Sequence, residues 1–101
     1  MVNPRSIYVP AETLRAMFNE GGYWQLAKDG QLHEKLYREA PPGKDSSEPP
    51  GTLSQIVAYL DSQGRQVAIF HQYLRKDGTL GGWGRPDPKK LFHEGKLYVT
   101  D

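Results

Sequence analysis

Apolar and polar residues alternate most regularly between positions 52 and 75, which predicts two paired β-strands. The strands are TLSQIVAYL and the stretch from Arg65 to Arg75. Between them, Asp61-Ser62-Gln63-Gly64 fits a type I turn closed by a glycine at positive φ. We therefore expect an antiparallel hairpin with a bulge, in which Tyr59 faces Val67.

This register divides the hairpin into two faces, because side chains alternate along a strand. One face is almost wholly apolar and must be buried, whereas the other is mixed and is where we expect any function. The expected buried face consists of Ile56, Ala58, Leu60, Ala68, Phe70 and Leu74, interrupted by Gln72. The expected functional face consists of Val57, Tyr59, Val67, Ile69, His71, Tyr73 and Arg75.

The residues before the hairpin predict helical cover for the sheet. Apolar residues at helical spacing follow Pro10 and stop at Gly21-Gly22, so we expect a short amphipathic helix there, preceded by a short strand at positions 7 to 9. The stretch from 23 to 39 fits either a helix or a hairpin turning at positions 28 to 31. Helix is favoured for residues 31 to 39, because Leu, Glu, Lys and Arg are helix formers and β-branched residues are absent.

The segment from 40 to 52 contains four prolines and two glycines and almost nothing apolar, so we expect a mobile loop. Beyond the central hairpin, Asp77-Gly78 predicts a second tight turn that sets Leu80 across from Arg75. Continued pairing would then set Gly82 opposite Tyr73, and Trp83 would point toward the core.

The remaining residues predict a stiff connection and a last hairpin. Two prolines make Arg85 to Lys90 a rigid extended segment that holds its cations outward. The final segment is predicted to turn at Glu94-Gly95, with Phe92 facing Leu97. We thus expect an α+β fold: one domain, 1–101, with an N-terminal helix or helices packed on one face of a mainly antiparallel meander of about five strands.

Composition narrows the class of protein. The chain has 101 residues, no cysteine and no apolar run long enough for a signal peptide or a membrane span, so we expect a soluble cytoplasmic protein without disulfides. The net charge is only +1, but residues 1 to 62 hold six Lys or Arg against eight Asp or Glu, while residues 63 to 101 hold seven against four. The basic character therefore lies with the sheet.

Motifs for the common chemistries are missing from the sequence. The histidines His33, His71 and His93 are not at metal-ligand spacing, so no metal site is predicted. No serine lies in a G-x-S-x-G setting, and the run Gly81 to Gly84 does not have the context of a phosphate-binding loop. We expect no cofactor.

The leading functional hypothesis is a small non-enzymatic binding module that uses a basic sheet face with exposed aromatic side chains. Its partner is single-stranded nucleic acid or an acidic protein surface, and the sequence leaves both open. No membrane partner is expected. The predicted binding residues are His71, Tyr73, Arg75, Lys76, Gly82, Arg85, Lys89 and Lys90.

The alternative hypothesis is a metal-independent ribonuclease. His71 and His93 would be its acid and base, because an unperturbed histidine pKa near 6.5 permits either role at neutral pH. Arg85 or Lys89 would stabilise the charged phosphorane. This hypothesis requires the two imidazoles to lie close together.

Overall fold

The computed structural model describes residues 6–82 and 84–100. In chain order, the elements are β1 Ile7–Tyr8, α1 Ala11–Glu20, α2 Tyr23–Lys28, β2 His33–Ala40, β3 Leu53–Leu60, β4 Gln66–Leu74, β5 Asp87–His93 and β6 Lys96–Val99.

The strands form one sheet in the order β1-β6-β5-β4-β3-β2. The pairing of β1 with β6 is parallel, and the other four pairings are antiparallel. Over the described residues the fold is therefore α+β, with two short helices and a mixed sheet of six strands. The expected meander of about five strands is only roughly right. The sheet has β2 as one edge strand, in place of the expected helix, and β1 as the other edge strand, paired in parallel with β6.

Helix α1 begins after Pro10, as its apolar spacing predicts, and buries Leu14 and Phe18. It lies over β5, where Arg15 forms an ion pair of 3.1 Å with Asp87. The core beneath it is aromatic: the ring of Phe18 lies 6.2 Å from Tyr59 and 6.3 Å from Phe70. Both helices thus pack on a single face of the sheet, which we call the covered face.

The β3–β4 hairpin keeps the predicted turn but not the predicted register. Gly64 has φ +78°, and the Asp61 carboxylate accepts hydrogen bonds from the backbone N–H of Gln63 and Arg65. Leu60 pairs with Gln66 as the turn requires, but Tyr59 pairs with Ala68, so Val67 is an extra residue in β4.

That bulge reverses the expected orientation of β3, because a one-residue slip moves every side chain to the other face. Ala68 and Phe70 of β4 lie in the core, as predicted. Val57 and Tyr59 of β3, which were expected on the opposite face, lie in the core with them. Ile56, expected to be buried, instead pairs with His71 on the face without helices. The prediction was right for β4 and wrong for β3.

The helix expected for residues 31 to 39 is wrong. Residues 33 to 40 form β2, an edge strand whose side chains are exposed except at its last residue, and the helix in this region is instead α2 at 23 to 28. Gly30, at φ +81°, reverses the chain between them. Pairing with β3 outweighs the helix propensity of these residues. Without β2, the backbone N–H and C=O groups on that side of β3 would have no hydrogen-bond partners in the sheet.

The second turn also differs from its expected form. The Arg75 N–H donates to the Thr79 carbonyl at 2.9 Å, so Leu80 pairs with Leu74 rather than with Arg75. The strand then stops, and the register partner of His71 is Asp87, not Gly84. Residues expected to be only a stiff connection form the start of β5, and the expectation for Trp83 lies outside the described residues. The last hairpin turns at Glu94-Gly95 with Phe92 opposite Leu97, as predicted.

Candidate functional site

The sheet face that bears no helix, here called the open face, is built by alternate side chains of the strands. Its members follow from the register, since paired residues point the same way. They are Lys35 and Arg38 from β2, Ser54, Ile56, Ala58 and Leu60 from β3, Ile69, His71 and Tyr73 from β4, Lys90 and Phe92 from β5, and Leu97 and Val99 from β6. Asp87 is the register partner of His71, but its carboxylate pairs with Arg15 of α1. Aliphatic residues occupy the centre of the open face.

Tyr37 also lies on the open face. Its hydroxyl donates a hydrogen bond of 2.8 Å to the side chain of Gln66, which spans from β2 across β3 to β4. The Tyr37 side chain remains 47% exposed, and Phe92 is 46% exposed. The open face therefore presents accessible aromatic surface at two separate places.

Strand β2 sorts its charges between the two faces. Glu34 pairs with Tyr59 and Glu39 with Gln55, so both carboxylates point to the covered side. Lys35 pairs with Ala58 and Arg38 with Ile56, so both cations point to the open side. The helix-free side of β2 is consequently basic.

His71 is the polar centre of the open face. Its Nε2 lies 2.8 Å from the Ser54 hydroxyl oxygen, and its ring meets that of Tyr73 edge to face at 4.6 Å. Burial lowers the pKa of His71, and the positive charge of Lys89 lowers it further, while Asp87 acts in the opposite direction. The neutral imidazole is therefore favoured more strongly than in a free histidine at the same pH.

Arg75 is already paired within the chain. The Glu48 carboxylate accepts a hydrogen bond from Arg75 Nε at 2.9 Å and another from the Gly82 backbone N–H at 3.0 Å. The bond from Arg75 and then that from Gly82 hold the pKa of Glu48 below its usual value. Gly81 lies so close to this carboxylate that a Cβ would collide with it. The loop from 40 to 52, expected to be mobile, is thus tied to the loop after β4.

The other predicted cations spread over several locations. Lys76 packs its aliphatic stem on Gly51, and Lys89 pairs with Asp87 at 3.2 Å. Arg85 lies over the ring of Trp24 on the covered side, with its guanidinium carbon 4.8 Å from the ring centroid. Lys90 lies on the open face beside Ile69. The predicted residues therefore do not form one cluster.

A small cavity of about 90 Å³ does join part of the predicted set. It is lined by His71, Tyr73, Gly82 and Arg85 of the predicted set, together with Gln72, Gly81 and Asp87. Gly82 reaches it from the loop rather than through strand pairing with Tyr73.

The two histidines of the ribonuclease hypothesis lie apart. His93 Nδ1 is 2.8 Å from the Tyr23 hydroxyl, which places it against α2 on the covered side. His71 points to the open side, and its register partner Asp87 lies six residues from His93 along β5. Six residues of a strand span about 20 Å, so the two imidazoles are far apart. The structure brings together no acid and base from this pair.

Sequence reasoning missed Lys35, Tyr37, Arg38 and Phe92. The first three were assigned to a helix, so their position on a sheet face was not considered. Arg38 lies on the same face as Lys35 because the register shifts between Leu36 and Arg38. Read with a period of two, HEKLYREA sets Lys35 and Tyr37 opposite Glu34 and Leu36, and this alternation was the available signal.

The covered face holds a larger hollow where α2 ends, a groove of about 710 Å³ between α2 and the turn after β4. Its floor contains a chain of side-chain hydrogen bonds. Gln72 Nε2 donates to Gln55 Oε1 at 2.8 Å, and Gln55 Nε2 donates to Glu39 Oε2 at 2.7 Å. No feature of the sequence pattern had indicated this groove.

Within residues 6–82 and 84–100, no group of three or more His, Asp or Glu side chains could hold a metal ion. In the same part of the chain, no helix has the length and apolarity needed to cross a bilayer. Comparison with known protein families, with curated proteins and with solved structures finds no match. Functional inference therefore starts from the two surfaces themselves.

Proposed function

We propose that the protein is a small non-enzymatic binding module whose open face docks an acidic surface of a partner protein. The observation that carries this proposal is an aliphatic centre with positively charged side chains around it. The centre consists of Ile56, Ile69 and Leu97. Protein interfaces are commonly apolar at the centre and polar at the rim, with Tyr, Phe and Arg enriched.

Charge complementarity selects the partner's sign. Lys35, Arg38 and Lys90 flank the aliphatic centre. The carboxylate nearest to His71 in register, Asp87, is already paired with Arg15 and Lys89. A second copy of the same basic surface would be repelled, whereas a partner with carboxylates around an apolar patch would be attracted.

The arrangement of the aromatic residues favours protein over single-stranded nucleic acid. Successive bases stack on aromatic rings that lie next to each other along a groove. Here Tyr37 and Phe92 belong to different strands, and aliphatic residues of β3 and β4 lie between them. Tyr73 has its ring in edge contact with His71. An aliphatic surface between them suits a protein side chain better than a base.

The test is a titration of isotope-labelled protein with an octapeptide that alternates Glu and Leu, and separately with a single-stranded octauridylate. We expect the peptide to shift the signals of Ile56, Ile69 and Phe92, with an affinity that falls as salt rises. If the open face stays unperturbed by the peptide at low salt, the proposal is wrong. If only the oligonucleotide shifts these residues, the partner class is nucleic acid instead.

Charge reversal locates the interaction. The double change Lys35→Glu and Arg38→Glu should weaken peptide binding by about tenfold or more, because two attractive contacts become repulsive. The double change Lys28→Glu and Lys96→Glu, on the covered side, alters the net charge by the same amount and is the matched control, which should have little effect. Equal losses in both variants would mean that the peptide responds to net charge alone.

A further inference from the structure

The groove on the covered face has the size and lining of a ligand site. Its volume of about 710 Å³ falls within the range of roughly 300 to 1,000 Å³ that is typical of binding pockets. Trp24 and Lys28 of α2 form one wall, and Leu80 in the turn region after β4 forms the opposite side. Strands β2, β3 and β4 form the floor.

The floor is ordered into rows that cross the strands. Leu36 and Val57 make an apolar row, Gln55 and Gln72 make a polar row, and Leu74 with Leu80 makes a second apolar row. Neighbouring rows are two residues apart along each strand, which is about 6.8 Å. Along the strand direction, the groove therefore changes from apolar to amide and back to apolar.

The amide row is held in place before any ligand arrives. Gln55 is only 7% exposed, and its amide is fixed between Gln72 and Glu39 by bonds of 2.8 Å and 2.7 Å. Each glutamine amide offers two N–H donors and an oxygen with two lone pairs, so bonding capacity remains for a ligand. Groups that are already oriented lose little entropy on binding.

Two features narrow the ligand class. The Trp24 ring carries Lys28 Nζ at 4.0 Å and the Arg85 guanidinium at 4.8 Å from its centroid, so the ring is engaged with cations rather than left free for stacking a sugar. Among the described residues that line the groove, the charged side chains are Lys28 and Glu34, and the Glu39 carboxylate at the end of the amide row already accepts from Gln55. A ligand with a large net charge gains nothing from this balance.

The geometry points to a binding site for an extended, uncharged peptide segment with apolar, amide-bearing and apolar side chains at alternate positions. An extended chain directs every second side chain to the same side at a repeat of about 6.8 Å, which equals the spacing of the rows. The two apolar side chains fill the rows at Leu36 and at Leu80. The central Gln or Asn exchanges hydrogen bonds with Gln72. The intervening residues face solvent, where water satisfies the backbone.

The experiment uses capped Leu-Ser-Gln-Ser-Leu and capped Leu-Ser-Leu-Ser-Leu as probes on the full chain. The glutamine peptide should shift the side-chain amides of Gln55 and Gln72 and the indole of Trp24, and it should bind about three- to tenfold more tightly than the leucine peptide. Absence of these shifts at millimolar peptide would overturn the proposal.

Testing both peptides on a variant of Gln72 separates a change in selectivity from a loss of binding caused by a damaged fold. In Gln72→Leu the preference should reverse, so that the leucine peptide binds more tightly, because the central glutamine of the peptide has lost the Gln72 amide and a central leucine now meets an apolar side chain. An unchanged preference in a variant with a native amide spectrum would contradict the amide row as the selector. Gln63→Leu, at an exposed position in the turn between β3 and β4, is the matched control and should bind both peptides like the parent chain.

Discussion

The two faces of this sheet use neighbouring residues for opposite purposes. On the covered face, Phe70 is fully buried and Gln55 has its amide bonded on both sides. On the open face, the next residues, Ile69 and Ser54, remain partly accessible. The covered face provides most of the core, while the open face keeps side chains that a partner could still bury. Adjacent positions in one strand therefore allow this division to be tested directly.

The largest expected difference is between Phe70→Ala and Ile69→Ala. Phe70 is 0% exposed and packs on Tyr59 and Phe18, so its truncation should reduce the free energy of unfolding by about 3 to 5 kcal/mol. Ile69→Ala removes fewer buried contacts, so we expect it to reduce the free energy of unfolding by about 1 kcal/mol. Chemical denaturation measures both. Comparable losses would mean that the open face is as much a part of the core as the covered face.

The second pair is Gln55→Leu against Ser54→Ala. Gln55→Leu removes two hydrogen bonds from the amide row and should cost about 1 kcal/mol in unfolding free energy. Ser54→Ala removes only its contact with His71 at a partly exposed position, and we expect no more than about 0.5 kcal/mol. If Ser54→Ala proves the more damaging, the polar structure of the fold lies on the open face instead.

His71 should make the open face sensitive to pH. Because its pKa is lowered by folding, the unfolded chain binds the proton more readily, and stability should fall as pH drops from about 6.5 through the folded pKa. The effect should be smaller than that of Gln55→Leu. Unfolding measured from pH 8 to 5 in the parent and in His71→Gln checks this, since the variant should lack that part of the pH dependence.

Protonation of His71 would also add a positive charge to the open face. Binding of the acidic octapeptide should therefore strengthen below pH 6.5 in the parent chain but not in His71→Gln. A pH dependence that is the same in both proteins would exclude His71 as its source.

The smallest global effect should come from Glu48→Ala. Its carboxylate is 10% exposed and accepts from the Gly82 N–H and from Arg75 in a loop outside the core, so we expect faster hydrogen exchange of the Gly82 amide with little change in unfolding temperature. Asp45→Ala, an exposed carboxylate in the same loop, is the control and should leave the Gly82 exchange rate unchanged. Unaltered exchange in Glu48→Ala would show that this contact does not hold the loop.

The pattern of side chains predicted the parts of the fold in which burial is one-sided. The stripe of Leu14 and Phe18 and the alternation of Ala68 and Phe70 identified α1 and the orientation of β4. Strand β2 was missed because its side chains are nearly all exposed, so its alternation of Lys35 and Tyr37 with Glu34 and Leu36 separates no apolar face from a polar one. These residues form a strand because they pair with β3. Pairing with a distant strand is a tertiary effect, which the intrinsic propensities of single residues do not describe.

The candidate site was predictable only in part for the same reason. His71 and Tyr73 were assigned to the face without helices, where the structure has them, because β4 carries its own alternation. The extra residue Val67 has no signature of its own, so the side chains of β3 were assigned to the wrong faces. The pairing of Arg75 with Glu48 joins segments far apart in sequence, which spacing alone cannot indicate.

The order in which the strands pair has a consequence for synthesis. Within the described residues, strand β1 pairs with β6 and helix α1 rests on β5, so both depend on segments that are made later than they are. A nascent chain leaving the ribosome would hold the apolar stripe of α1 without its docking surface until β5 has been synthesised. Such long-range closure is associated with slow folding. Chains released early should be aggregation-prone substrates for chaperones and proteases rather than partly working molecules.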